Sequence, residues 1–271
     1  MTFIQALVLG IVQGLTEFLP VSSSGHLVLI QNLFGLHQPE LVFDVAVHVG
    51  TLAAVCVYFS RDISAMVAEV FKWAYNRCRH AESRPPSMEV RLAAMIVVGS
   101  VPTAIIGLGL HRIADLLFSS VLLVGFMLAA TGFWMWFTRG RDSSGSGVSR
   151  LNSARAVLIG IAQGIAIIPG VSRSGATIAA SLYLGLDRET AARYSFLLSI
   201  PAIAGAALLS LSDTSTAGSA SVPVIFAGGL AAALVGYAAL AFLVYLVKKG
   251  RLFIFAPYCW AVGGIILMLA W

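Results

Sequence analysis

Charge is what this sequence lacks most. Of its 271 residues only 11% are Asp, Glu, Lys or Arg and 59% are hydrophobic, whereas a soluble domain carries about 25% charged residues. That deficit excludes an ordinary soluble fold and points to an integral membrane protein. The excess of 17 Lys and Arg over 12 Asp and Glu, a net charge of +5, is read as a topology signal in membrane loops. No nucleic-acid partner is expected. Cysteine is scarce too: Cys56, Cys78 and Cys259 have no metal or disulfide spacing, so they are expected to be inert packing residues. The first 39 residues contain no Lys or Arg; the basic n-region of a secretory signal is missing, and no signal peptide is expected.

What is there is one element written twice. Gly160–Thr177, GIAQGIAIIPGVSRSGAT, lies over Gly10–Leu27, GIVQGLTEFLPVSSSGHL, at a constant offset of 150 residues. Gly10/Gly160, Ile11/Ile161, Gln13/Gln163, Gly14/Gly164, Val21/Val171, Ser22/Ser172, Ser24/Ser174 and Gly25/Gly175 are identical. The copies part where chemistry would sit: Glu17 faces Ile167, Ser23 faces Arg173 and His26 faces Ala176. Duplicated backbone with diverged polar side chains suggests two halves building one site from complementary parts.

Around each copy the apolar runs are too short to cross a bilayer, which takes about 20 residues. Phe3–Leu15 and Leu27–Leu36 flank the polar centre TEFLPVSSSGH, the pattern of a re-entrant hairpin, a backbone tolerated only inside protein or beside a wet cavity. Six full spans are expected at Leu41–Ser60, Leu92–Leu110, Leu116–Thr138, Tyr194–Ser212, Val222–Val247 and Leu252–Trp271. Asp187 is expected to cap the helix that begins at DRETAARYS. The fold class is therefore all-α: six transmembrane helices plus two re-entrant helical hairpins. The first repeat covers residues 1–138, a polar linker 139–155, and the second repeat 156–271, in one membrane domain. Lys and Arg concentrate in Arg61–Arg91, Arg139–Arg155 and Lys248–Arg251, which the positive-inside rule puts in the cytoplasm. Each half holds an odd number of spans, so the second half is inverted and the two polar tips meet near the midplane.

Glu17 stands one turn after Gln13, and that spacing puts both oxygens on one helical face. A carboxylate with an amide oxygen suits a hard cation, Mg²⁺ or Ca²⁺, and an intramembrane carboxylate is costly to keep without a task. In Pro20-Val21-Ser22-Ser23-Ser24-Gly25-His26 the hydroxyls and the free N–H groups at the start of a half-helix favour an anion. His26 could act as acid, base or nucleophile toward phosphorus. The bland alternative is a small-residue turn for close packing. In the second copy Arg173 is a permanent cation whose fork of donors matches phosphate oxygens. Ser172, Ser174, Gly175 and Thr177 would complete the cradle; the bland alternative is a structural Arg173–Glu17 pair. A lone His on an apolar face is usually a core residue, and His48 is read that way. Asp187, Arg188, Glu189, Arg193, Arg112 and Asp115 are read as solvated loop and cap residues.

At these stretches the sequence resembles the undecaprenyl-pyrophosphate phosphatases of the bacitracin-resistance type. Their first motif, Glu or Gln, three residues, then Glu, is matched by Gln13 to Glu17 running on to His26; their second, PGxSRSxxT, by Pro169 to Thr177. The resemblance covers the whole chain. It implies removal of the terminal phosphate from a C55 polyprenyl diphosphate lipid, which regenerates the carrier for cell-wall synthesis and underlies bacitracin resistance. It implies metal binding at Gln13 and Glu17, catalysis by Ser23 and His26, and phosphate binding by Arg173. The first motif position is Gln where a two-carboxylate metal site would have Glu, and His48 stands where relatives commonly carry Gln. The resemblance also implies a bacterial plasma-membrane protein among membrane lipids. Its site is expected to face outward, because the first hairpin enters from that side; a homodimer is left open. Two other classes remain: a polyprenyl-lipid transporter or flippase, since inverted repeats and broken helices mark transporters, and a second lipid-phosphatase class that shares an SGH motif but needs a later SR followed by His and Asp, whereas SRSGATIAASLYLGLD has no His.

Overall fold

The computed structural model describes residues 1–36, 41–79, 85–113, 116–117, 120–141, 147–212 and 220–270. The readings made for Arg84, Asp115, the Ser/Gly stretch 142–146, the loop 213–219 and Trp271 lie outside the described residues. Within them the chain is helical, with no strand.

Helix α1 (Phe3–Phe18) opens on a capping box in which Thr2 accepts from the Gln5 amide and the Gln5 side chain reaches back to Thr2, satisfying two orphan donors at once. It stops just ahead of Pro20, and α2 (Ser23–Leu33) follows after a four-residue break. Helix α3 (Leu41–Tyr58) runs almost directly into α4 (Ser60–Cys78), bent by 73°. Then come α5 (Met88–His111) and α6 (Val121–Trp136). The second hairpin is α7 (Ser153–Ile165) and α8 (Arg173–Tyr183). Helices α9 (Arg188–Ser212) and α10 (Val222–Lys248) are long; a 3₁₀ turn at Leu252–Phe255 leads into α11 (Ala256–Leu269).

Among the described residues four helices are long and apolar enough to cross a bilayer, at Met88–His111, Arg188–Ser210, Val222–Lys248 and Leu252–Leu269, and the bent α3/α4 pair makes five if it counts as one span. The protein is thus a multi-pass, all-α membrane protein. Helix α1, with 16 residues, is about 24 Å long at 1.5 Å per residue, short of a ~30 Å hydrocarbon core; α7 is shorter still.

The expected boundaries agree to within one residue at both ends of α10 and at the C-terminal ends of α5 and α9, which begin four and six residues earlier than expected; Asp187 caps α9 as expected, its Oδ1 accepting from the Thr190 amide at 2.9 Å. The charged segment read as a cytoplasmic linker after the first span differs: most of it is α4. Its polar residues mask apolar ones at helical spacing, Ile63, Met66, Val67, Val70 and Phe71, so average hydropathy hides a helix that periodicity would have revealed.

Packing is reciprocal. Helix α1 lies along α10, and α7 lies along α5. Helix α3 packs on α10 and α9 packs on α5, while α6 and α11 pair with each other. Glycine makes the two hairpin contacts possible. A Cβ on Gly10 would sit 2.3 Å from the Gly228 carbonyl oxygen, and one on Gly160 would sit 2.0 Å from that of Gly99. Each hairpin loop is also held by a helix of the opposite half. The Thr131 hydroxyl of α6 donates to the Gly170 carbonyl and accepts from the Ser172 amide. The Cys259 thiol of α11 donates to the Pro20 carbonyl at 3.3 Å, so this cysteine does more than fill space. Phe18, fully buried, meets Phe196 of α9 edge-on at 5.9 Å and fixes the end of α1 where Glu17 sits.

Candidate active site

Glu17 lies in the last turn of α1, 8% exposed, and Gln13 one turn before it is fully buried. The Gln13 Nε2 donates to Glu17 Oε2 at 2.9 Å. The chain then leaves the helix through Leu19 and Pro20, and Ser22 adopts a left-handed conformation at φ 68°, uncommon for a residue with a Cβ. That turn starts α2 at Ser23, whose hydroxyl donates to the same Glu17 Oε2 at 2.8 Å. The third partner comes from the other half of the chain. Arg173, first residue of α8, forms an ion pair with Glu17 through Nη2 and Oε1, and its side chain keeps only 19% of its exposure. So Gln13, Glu17, Ser23 and Arg173, expected to work together, are brought together.

His26 is close in sequence but engaged elsewhere. Its Nδ1 lies 2.9 Å from the Ser22 carbonyl oxygen, and its Nε2 lies 2.6 Å from the Tyr258 hydroxyl. A carbonyl can only accept, so Nδ1 carries the hydrogen and Nε2 of the neutral ring accepts from Tyr258. With both ring nitrogens committed, the Ser23 proton faces the Glu17 carboxylate alone.

The remaining small residues shape the two loops. The Ser22 and Ser24 hydroxyls stand 3.5 Å apart, and Gly25 faces Val124 of α6. In the second hairpin Ser172 caps α8, accepting from the Gly175 amide at 3.2 Å, and shares a hydrogen bond with Ser174. Thr177 donates to the Arg173 carbonyl at 2.8 Å. Its proton thus braces the turn that carries Arg173.

Two residues outside the motifs reach the site. His48 on α3 brings Nε2 to 4.0 Å from Glu17 Oε2, with Nδ1 at 2.7 Å from the Asp44 carbonyl. It is 38% exposed along its side chain, which differs from the core reading: it opens on the site. Tyr258 at the start of α11 is the other. An intramembrane His was the available signal for the first; no spacing in the sequence connects Tyr258 to His26.

Oxygen donors for a hard cation are the Glu17 carboxylate and Gln13 Oε1. The latter is buried without a hydrogen-bond partner, on the amide whose nitrogen meets Glu17. That pair fits a cation held by one carboxylate and completed by water and phosphate. Among the described residues no group of three or more His, Cys, Asp or Glu is placed to hold a metal.

Arranged this way, the site can activate a hydroxyl with a carboxylate and hold an anion with a guanidinium, both charged groups being largely buried. Comparison with known proteins gives the same direction. The chain matches the family described as Bacitracin resistance protein BacA over residues 6–265. It is 53% identical to an undecaprenyl-diphosphatase of Desulfosudis oleivorans over 274 aligned residues, covering 98% of both chains. It is 52% identical to one of Desulforapulum autotrophicum, covering 97% of this chain and 96% of the other. A third, from Halothermothrix orenii, is 44% identical and covers 100% and 99%. Motifs, length and full-length identity agree, and the chain belongs to the BacA family of bacitracin-resistance proteins.

Proposed function

We propose that this protein is an undecaprenyl-diphosphate phosphatase, a phosphoric anhydride hydrolase that returns the C55 lipid carrier to cell-wall synthesis as its monophosphate. The observation that carries the mechanism is the Glu17 carboxylate held between the Ser23 hydroxyl and the Arg173 guanidinium. Phosphoryl transfer gains mostly from positioning and charge stabilisation. A diphosphate entering the site offers Arg173 phosphate oxygens in exchange for the carboxylate, and its planar fork can bind two at once. Glu17, released from that pair, is the base for Ser23. The Ser23 oxygen attacks the terminal phosphorus, its proton passes to Glu17, the bond from that phosphorus to the bridging oxygen breaks, and undecaprenyl monophosphate leaves. Water then attacks the phosphoserine, releasing inorganic phosphate and restoring Ser23. His26 assists the second step by accepting the water's proton on Nε2 once the Tyr258 hydroxyl has moved off that nitrogen.

A divalent cation, Mg²⁺ or Ca²⁺, belongs to the proposal. Glu17 and Gln13 would hold it, and when bound it supplies positive charge to the phosphate oxygens. The orphaned Gln13 Oε1 supports this. Ser172, Ser174 and Gly175 shape the loop beneath the phosphate, together with Ser22, Ser24 and Gly25 opposite.

The architecture proposed for this chemistry is an inverted repeat, residues 1–138 and 156–271, with six spans and two re-entrant hairpins. The reciprocal contacts of α1 with α10 and α7 with α5 support it. In it the basic segments face the cytoplasm and the site opens to the outer face of the plasma membrane. Phosphate release from C55 polyprenyl diphosphate by purified protein, before and after EDTA, tests the enzyme. Release that falls on chelation and returns with Mg²⁺ in wild type, but is insensitive in Gln13→Leu, supports the cation site. Undiminished release in EDTA discards it, and no release from folded protein discards the phosphatase.

A further inference from the structure

Helix α4 begins where the apolar helix α3 ends. Phe59 alone separates the two, and the pair is bent by 73°. One residue gives no loop that could lift α4 away from the bilayer surface. An axis turned that far from a spanning helix lies nearer the membrane plane than its normal. The first turns of α4 are fixed to the bundle. Asp62 pairs with Arg193 of α9, Met66 is buried, and Ile63 packs on the same core. Tyr58, Asp62, Met88, Asp187 and Lys248 border one pocket, so the ends of α3, α5, α9 and α10 gather there. Beyond that anchorage the helix projects: every residue from Phe71 to Arg79 is exposed.

The projecting part is two-faced. Val67, Phe71, Ala74 and Cys78 follow at steps of four, three and four, which makes one apolar stripe, and Val67 and Phe71 are exposed. Arg77 stands about a quarter turn from that stripe on one flank, and Lys72 and Arg79 about a third of a turn on the other. The Arg77 guanidinium lies over the Trp73 ring at 5.6 Å and that of Arg79 over Tyr75 at 4.8 Å. From Ser60 to Arg79 there are four basic and two acidic residues. Both acids already face a cation of the protein, Asp62 with Arg193 and Glu69 with Lys72. An apolar stripe flanked by aromatic rings and surplus basic side chains is what settles a helix into the headgroup layer of an anionic leaflet.

We propose that α4 is an in-plane anchor that binds anionic phospholipid head groups, with Val67, Phe71 and Ala74 at the acyl boundary and Lys72, Arg77 and Arg79 reaching the phosphates along their apolar stems. A soluble acidic partner would meet the cations and leave the stripe in water; a bilayer surface covers both. A second copy of the chain would bring the same basic surplus to the contact. The inference is independent of the phosphatase reading, because α4 contributes no residue to the candidate active site.

The test follows amide hydrogen exchange over residues 66–79 in full-length protein held as a single copy in lipid nanodiscs. Discs of phosphatidylcholine alone are compared with discs that also contain phosphatidylglycerol. Each Lys or Arg beside an anionic surface favours the bound state about fivefold, so exchange should be slower in the anionic discs by about tenfold or more. The triple variant Lys72→Gln, Arg77→Gln, Arg79→Gln should lose that difference while α5 and α9 exchange as in wild type, which shows that the bundle is folded. Phe71→Ser should speed exchange in both lipids. Equal wild-type exchange in the two discs would overturn the inference, as would a lipid difference that survives in the triple variant. Protection that appears only when two copies share a disc would make the face a contact between copies and overturn it too.

Discussion

The first hairpin turns through Ser22 at φ 68°, the second through Gly170 at φ 91°. In the second copy the left-handed residue is a glycine three positions before the helix, and Ser172 is left relaxed to cap α8. In the first copy the position of Gly170 is occupied by Pro20, and the turn falls on Ser22 itself, next to Ser23. A side chain held left-handed costs about 1–2 kcal/mol. Such strain persists where the surroundings over-determine it, often at functional sites. Here it aims the Ser22 carbonyl at His26 and starts α2 so that Ser23 reaches Glu17. The second copy, which carries Arg173 where the first has Ser23, has the relaxed version. Among the described residues the left-handed non-glycine turn falls only on the copy that carries Glu17, Ser23 and His26.

The sharpest way to break this division of labour is to remove the one charge the second hairpin contributes. Arg173→Ala should lower kcat/KM by about 10³-fold, the scale of losing a preorganised charge partner in a water-poor site, read as phosphate release. A loss below tenfold would return Arg173 to a structural pairing with Glu17. Next is the first hairpin's own group. Ser23→Ala should cost about 10²-fold or more in kcat, and acid-quenched wild-type enzyme should carry a phosphate that the variant lacks. If Ser23→Ala keeps its activity while His26→Ala does not, the histidine is the nucleophile and the grip of Tyr258 on Nε2 must open during turnover.

The breaks in the two similar elements were legible because Pro20 and the pair Pro169-Gly170 interrupt apolar runs. The Glu17–Arg173 pair was legible as the structural alternative, because opposite charges beside the breaks of two similar elements have few other places to go. The helix α4 was not, since its polar side chains outweigh its apolar ones in any window average. The reach of His48 to Glu17, and of Tyr258 to His26, depends on how far one helix is rotated about its axis against another. Periodicity states which residues share a face of one helix; it does not state which neighbour that face meets.

Stability should sharpen the comparison from the other side, because the scaffold contacts are equivalent where the chemistry is not. Gly10→Ala and Gly160→Ala each drive a methyl into a backbone carbonyl and should each cost about 1–3 kcal/mol by overpacking, seen as similar falls in the detergent unfolding midpoint. A large difference between the two would mean the halves are not mechanically equivalent.

The smallest effect separates strain from packing at the turns themselves. Gly170→Ala places a Cβ 2.4 Å from the Val124 carbonyl oxygen at a left-handed position, so clash and backbone strain act together, for about 2 kcal/mol or more. Ser22→Gly does the reverse. It removes the left-handed cost of about 1 kcal/mol, but glycine gives back a similar amount as entropy of the unfolded chain. The unfolding midpoint should therefore hardly move. Activity should move, because a glycine at position 22 no longer confines the backbone that aims its carbonyl at His26 and its neighbour at Glu17. An unchanged midpoint with kcat down several-fold would locate the strain in function. An unchanged kcat would mean that Pro20, Cys259 and Tyr258 hold the turn without help from the side chain of Ser22.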